Sequence, residues 1–226
     1  MRTIVLSLLL TFAVGIPTLT ASPCTAGAGI WNEGDDGQGD AGKTTATANI
    51  TTGVGSLTTI CGNLTDATGG ADMYEITITG TSFSAITSLR QTSTLNPALY
   101  LFNSSGVALY AENDISGTND QAQINVASGL TPGEYFIVIA PDNQQPKSAG
   151  GGGTLIFGNI TGTTGQMTPV ASDTTLKNWT DAGDSSGEYQ ISLTNAAFAS
   201  QVPEPAAFGL VGAGLLALAG FRRRRT

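Results

Sequence analysis

The chain has 226 residues, a formal net charge of −8, two cysteines and no histidine. Without histidine, Ser-His-Asp and Cys-His nucleophilic catalysis and histidine-bound zinc are excluded, and two cysteines are too few for a thiolate zinc site. The negative balance repels a phosphate backbone and argues against nucleic acid as a partner.

In chain order, Arg2 precedes an apolar run over residues 4–16, then Pro17 and small residues at Ala21 and Ser22. This is the pattern of a secretory signal peptide over residues 1–21. Cys24 raises a lipoprotein variant, but Pro23 stands where a lipobox wants Gly or Ala. Residues 22–201 form one exported domain of ordinary size, with four basic residues against sixteen acids and hence a net charge of −12. A surface of that sign welcomes divalent cations. Cys24 and Cys61 both fall in the exported part, where one disulfide pinning the mature N-terminus to the body is expected.

Residues 22–42 are Gly-rich and acidic, lack periodicity, and are expected to be a lead-in loop. Short strand-like runs follow at 56–61, closed by Gly62-Asn63, and at 73–79, where Tyr74, Ile76 and Ile78 alternate with Glu75, Thr77 and Thr79. Residues 85–89 suggest another strand, and 98–102 and 107–111 flank Asn103-Ser104-Ser105-Gly106 as a hairpin. Next come 122–126, a turn at Thr131-Pro132-Gly133, and 134–140, whose positions 135–139 are all apolar, as in a central strand covered on both sides. A loop at 143–153, a strand at 154–160, a polar insertion at 161–184, a closing strand at 188–193 and a linker at 195–201 complete the domain. With eight or nine short strands and no helical period, the expected fold is all-β: a single antiparallel β-sandwich of jelly-roll or Greek-key type.

The last 25 residues carry the most specific signal. Val202-Pro203-Glu204-Pro205 is held extended by its prolines, residues 206–221 contain only Ala, Gly, Leu, Val and Phe, and Arg222, Arg223, Arg224 and Arg225 follow. A helix over 206–221 would span about 24 Å, slightly less than the ~30 Å hydrocarbon core, with the arginines on the cytoplasmic side. This order closely resembles the PEP-CTERM sorting signal of Gram-negative bacteria. The resemblance implies recognition by exosortase, an inner-membrane intermediate reached through the Sec translocon, and release or transfer to the cell surface or extracellular matrix. An anchor that is never processed is the rival reading.

The body bears a second resemblance. Gly39-Asp40-Ala41-Gly42, Ile60-Cys61-Gly62-Asn63-Leu64 and Ala71-Asp72-Met73-Tyr74-Glu75-Ile76 supply its first half. Pro97-Ala98-Leu99-Tyr100-Leu101-Phe102-Asn103, Glu112-Asn113-Asp114, the run from Leu130 to Val138 and Gly187-Glu188-Tyr189-Gln190-Ile191 supply the second. Together they resemble the bacterial pre-peptidase C-terminal domain, with a longer segment over 148–184. That resemblance implies a non-catalytic sandwich assisting secretion, stability or adhesion to polymers; in collagenases a related domain binds collagen with calcium.

Calcium takes six to eight oxygen ligands from flexible loops. Glu33, Asp35, Asp36 and Asp40 share one loop and Asp72 opens the next strand, so folding the loop onto that edge would gather a tentative calcium site. Glu112, Asn113, Asp114, Asn119 and Asp120 form a second acidic stretch. Solvated acidic turns are the plainer reading of both. Asp35 and Asp36, adjacent on one loop, lack the fixed separation across a cleft that glycoside hydrolysis requires. Trp31 and Trp179, read as loop residues, are stacking candidates for sugar rings, ahead of Tyr100 and Tyr110. The expectation is an exported, non-enzymatic surface or matrix protein. The alternative is a calcium-dependent module binding exopolysaccharide or protein, with a secreted hydrolase third.

Overall fold

The computed structural model describes residues 24–34, 37–65, 70–89, 93–148, 153–181 and 185–201. The expected signal peptide (1–21), the sorting tail with its helix (202–226) and Asp35 and Asp36 lie outside the described residues. Within them the strands are β1 (Ile30–Asn32), β2 (Asn49–Ile50), β3 (Thr52–Gly53), β4 (Thr59–Leu64), β5 (Asp72–Ile78), β6 (Phe83–Leu89), β7 (Pro97–Asn103), β8 (Ala108–Glu112), β9 (Gln123–Val126), β10 (Gly133–Pro141), β11 (Pro146–Ser148), β12 (Leu176–Trp179), β13 (Gly187–Thr194), β14 (Ala196–Phe198) and β15 (Ser200–Gln201). No helix occurs among the described residues, so none there is long and apolar enough to cross a membrane.

Alternating apolar residues assemble two large sheets. One has the order β1-β4-β13-β6-β9; the other runs β14-β5-β10-β7-β8, with β2 also on β5. Their facing rows form one core. Ile60 and Leu64 of β4, Phe83 and Ala85 of β6, Ile124 and Val126 of β9 and Ile191 of β13 meet Ile76 and Ile78 of β5, Leu99 and Leu101 of β7 and Ile137 and Ile139 of β10. This is a β-sandwich, and β10 is covered on both faces. It pairs antiparallel with β5 on one side and β7 on the other. Its inward row is Tyr135, Ile137 and Ile139, while its outward row, Phe136, Val138 and Ala140, is buried as well.

The outward row is covered by the chain between β10 and β13. Ile156, Phe157, Ile160 and Trp179 pack over Met73, Ala98, Tyr100, Phe102, Phe136 and Val138. Trp179 lies edge-on to Tyr100, with ring centroids 5.4 Å apart, and its indole N–H donates to Lys43 O at 2.7 Å. Tyr100 Oη donates to Gln144 O at 3.0 Å. The buried Gln145 side chain donates to Asn159 Oδ1 (3.0 Å) and Thr161 Oγ1 (3.2 Å) and accepts from Ile160 N (3.1 Å), fastening the flap through groups that no water need satisfy.

The hairpin around residues 103–106 forms β7 and β8. Asn103 Oδ1 accepts the Ser105 and Val107 N–H groups, each at 3.0 Å, and Gly106 takes φ 73°, which its missing Cβ permits. Cys24 and Cys61 are bridged, with Cα atoms 6.0 Å apart, tying residue 24 to β4.

Several expectations are corrected. The sandwich is not purely antiparallel, because β1–β4, β2–β5 and β15–β3 run parallel. The lead-in is not all loop; it contains β1. Gly62-Asn63 is no turn, since β4 continues through both, held by β13 across from it. Residues 154–160 form no strand: their apolar side chains cap the outer face, and a single bridge, Lys147↔Leu155, is their ladder contact. The expected polar insertion contributes β12, which pairs with β11. Residues 195–201 are no linker, because β14 pairs with β5 and β15 with β3, with Phe198 buried in the core.

Removing the flap's largest side chain exposes the outer row. We expect Trp179→Ala to cost about 3–5 kcal/mol in urea unfolding, the range for a large aromatic cut from a packed interior; a change below about 1 kcal/mol would show that the flap carries no stability.

Candidate metal centre

At one end of the sandwich, β1 lies parallel to β4, and the Glu33 N–H extends that ladder by donating to Cys61 O at 2.8 Å. This fixes Glu33 over the start of the acidic loop. Its Oε1 accepts the Ala41 N–H at 2.7 Å and its Oε2 the Asn63 N–H at 3.0 Å, so one carboxylate closes the loop and holds it to β4. Folding back in this way brings Asp40 beside Asp72, the first residue of β5. Carboxylate oxygens of Glu33, Asp40 and Asp72 all lie within 4.8 Å of one another. Asp72 is buried, Glu33 half-buried and Asp40 exposed.

Two tyrosines floor this cluster. Tyr189 Oη donates to Asp72 Oδ2 at 2.6 Å and shares a short hydrogen bond with Tyr74 Oη, and Tyr74 is also bonded to Glu33. The Trp31 ring stands edge-on to Tyr74 at 5.3 Å, and its indole N–H is buried without a hydrogen-bond partner. Gly62 is dictated by this crowding. A Cβ there would collide with the Tyr189 hydroxyl and sit 2.7 Å from Glu33 Oε2.

The electrostatics run against ionisation. Burial, then the Glu33 charge, hold the Asp72 carboxyl well above the usual range, while the Tyr189 hydrogen bond opposes them. Burial also raises Glu33, opposed by the Ala41 and Asn63 N–H groups. The charges acting on Asp72 are those of Glu33 and Asp40, both negative. Burial pushes both tyrosines well above their ordinary value, so they remain donors. An all-oxygen, all-anionic donor set of this kind fits a hard divalent cation such as calcium and not zinc. A retained proton is the other way to relieve the repulsion.

Of the five residues singled out in the sequence as calcium ligands, the structure thus gathers Glu33, Asp40 and Asp72, while Asp35 and Asp36 lie outside the described residues. The tyrosine floor was missed; its signal was the alternation placing Tyr74 and Tyr189 on inward rows. The second acidic stretch does not form a comparable group. Glu112, Asn113 and Asp114 are buried where β8 ends, whereas Asn119 and Asp120 lie on an exposed turn. Burial pushes Glu112 up to about 7. Trp31 and Trp179 are not loop residues open to sugars; both are buried in strands, as Tyr100 is, and Tyr110 is half-buried.

The chain matches the PEP-CTERM protein-sorting motif over residues 201–225. The match begins at the last residue of β15 and does not reach the sandwich core. No curated protein matches the chain. The motif marks the protein for export, with exosortase as processing partner and the cell surface as destination.

Two outcomes follow from the charges. Glu33, Asp72 and Glu112 hold protons more tightly folded than unfolded. In metal-free protein their contribution is therefore complete below the ordinary carboxylate range and lost as pH rises through the raised values. Melting temperature should fall from pH 4.5 to 7, and Glu112→Gln should flatten part of that fall. A wild-type profile flat across this window would contradict the sign. Gly62→Ala should cost about 1–3 kcal/mol by overpacking, read by thermal unfolding, because Tyr189 and Glu33 hold their positions by hydrogen bonds.

Proposed function

We propose that the protein is a non-enzymatic surface or extracellular-matrix component, a β-sandwich cargo delivered by its C-terminal sorting tail. The observation that carries this reading is the PEP-CTERM motif beginning where the last strand ends. The signal peptide expected over residues 1–21 is consistent with it, routing the chain through the Sec translocon to an inner-membrane intermediate before transfer outward. The Cys24–Cys61 bridge suits an oxidising compartment. Mass spectrometry of protein recovered outside the cell should find Arg222 to Arg225 missing; an intact C-terminus would favour an unprocessed anchor instead.

The second reading, favoured by the convergence of Glu33, Asp40 and Asp72, is a calcium-dependent module that adheres to exopolysaccharide or protein. Bound calcium would offset two of the three carboxylate charges and stiffen the loop across the end of the sheet. Asp40, Asp72 and Glu33 would hold it, and the Tyr189 hydroxyl would orient Asp72 by donating to its Oδ2. A ligand that binds only the native state at a hundred times its dissociation constant adds about 2.7 kcal/mol. Millimolar calcium should therefore raise the melting temperature at pH 7.5 and do so less at pH 5, where protons compete. Asp72→Asn should abolish that response yet raise the metal-free melting temperature at pH 7.5, because it removes the repulsion while an amide oxygen still accepts from Tyr189. No calcium shift in the wild type would leave the cluster to a retained proton.

A further inference from the structure

The sandwich ends without a spacer. β15 is pinned to β3 in parallel register, Ser200↔Thr52 and Gln201↔Gly53, with the Ser200 N–H donating to Thr51 O at 3.0 Å. Phe198, just before it, packs so closely on Gly53 that a Cβ there would lie 2.6 Å from the ring. Residues 202–205 alone separate Gln201 from the apolar run that begins at Ala206. Even fully extended, the steps from 201 to 206 cover about 17 Å at 3.3–3.6 Å each. The polar headgroup layer takes up roughly 5–7 Å of that on each side of the bilayer. A folded sandwich whose tail is inserted therefore holds the β15 end within about 10 Å of the headgroups.

That edge differs from the rest of an acidic body. The sequence carries no charged side chain between Lys43 and Asp66, which spans β2 and β3, and none between Glu188 and Glu204, which spans β14 and β15. Glu75 lies across from Ile50 in the pairing of β2 with β5, and the acidic loop reaches the same strand through the Gln38 amide, which bonds the Ile50 N–H and C=O at 2.8 Å each. Among the described residues the exposed large apolar side chains are Ile50, Val54, Ile86 and Val170. Ile50 (43 % exposed) and Val54 (52 %) flank β3, the partner of β15.

We propose that the β2–β3–β15 edge is a membrane-facing surface. While the tail is engaged, Ile50 and Val54 lie against the lipid headgroups and the sandwich stands edge-on, with β8 and the flap directed away. This rests on the sorting reading of the tail. The test uses full-length protein in phosphatidylcholine vesicles containing a headgroup nitroxide lipid, with a fluorophore on Val54→Cys or, on the flap beside β8, Val170→Cys. The bridged native cysteines stay unlabelled. Quenching at position 54 should exceed that at 170 at least twofold, and twelve Gly/Ser residues inserted between Gln201 and Val202 should remove the difference. Equal quenching at the two sites, or a difference that survives the insertion, would overturn the proposal. A fluorophore on Leu215→Cys, quenched by an acyl-chain nitroxide, reports tail insertion separately; its failure would count against the sorting reading itself.

Discussion

Burial of β10 on both faces is the constraint on which the architecture rests. A strand carrying Tyr135, Phe136, Ile137, Val138 and Ile139 in succession cannot lie at a sheet surface without exposing one apolar row. The facing sheet covers the first row. The second needs another cover, and the long segment between β10 and β13 provides it with Ile156, Phe157, Ile160 and Trp179. A segment that reads in the sequence as a loop, a strand and a polar insertion is therefore one packed cover. Its polar residues are used as well: the Gln145 amide fastens it by three hydrogen bonds instead of facing solvent.

The acidic end of the sandwich has the opposite economy. The Asp72 carboxyl is buried above two tyrosines and beside two further carboxylates, an arrangement that ionisation alone destabilises. Such a cluster persists where something outside the polypeptide neutralises it, whether a proton or a metal ion. Because Glu33 also closes the loop through the Ala41 and Asn63 N–H groups, the charge state of this corner and the order of the lead-in loop are one property.

Much of this was legible in the sequence, and the rest was hidden for physical reasons. The alternation of Tyr74, Ile76 and Ile78, the unbroken apolar run of β10 and the Asn103–Gly106 turn each follow from local pattern. The gathering of Glu33, Asp40 and Asp72 was readable as oxygen donors on one Gly-rich loop beside a strand start. Three things were not readable. Residues 154–160 carry a strand-like apolar composition because they cap a sheet, and capping imposes no period. β14 and β15 are small and uncharged like a linker, and only pairing with β5 and β3 distinguishes them. Trp31 and Trp179 sit among Gly and polar neighbours, so their burial is decided by distant partners, Tyr74 and Tyr100.

The sheet order also bears on when the domain can fold. β13 is the last long strand of the chain, yet it occupies the middle of its sheet, between β4 and β6. Until residues 187–194 are present, β4 and β6 have no shared partner, and the Tyr189 hydroxyl is missing from beneath Asp72. Pairings this distant in sequence form slowly and late. The sandwich therefore closes only when the chain is nearly complete, and its closure falls close to the appearance of the segment that follows β15.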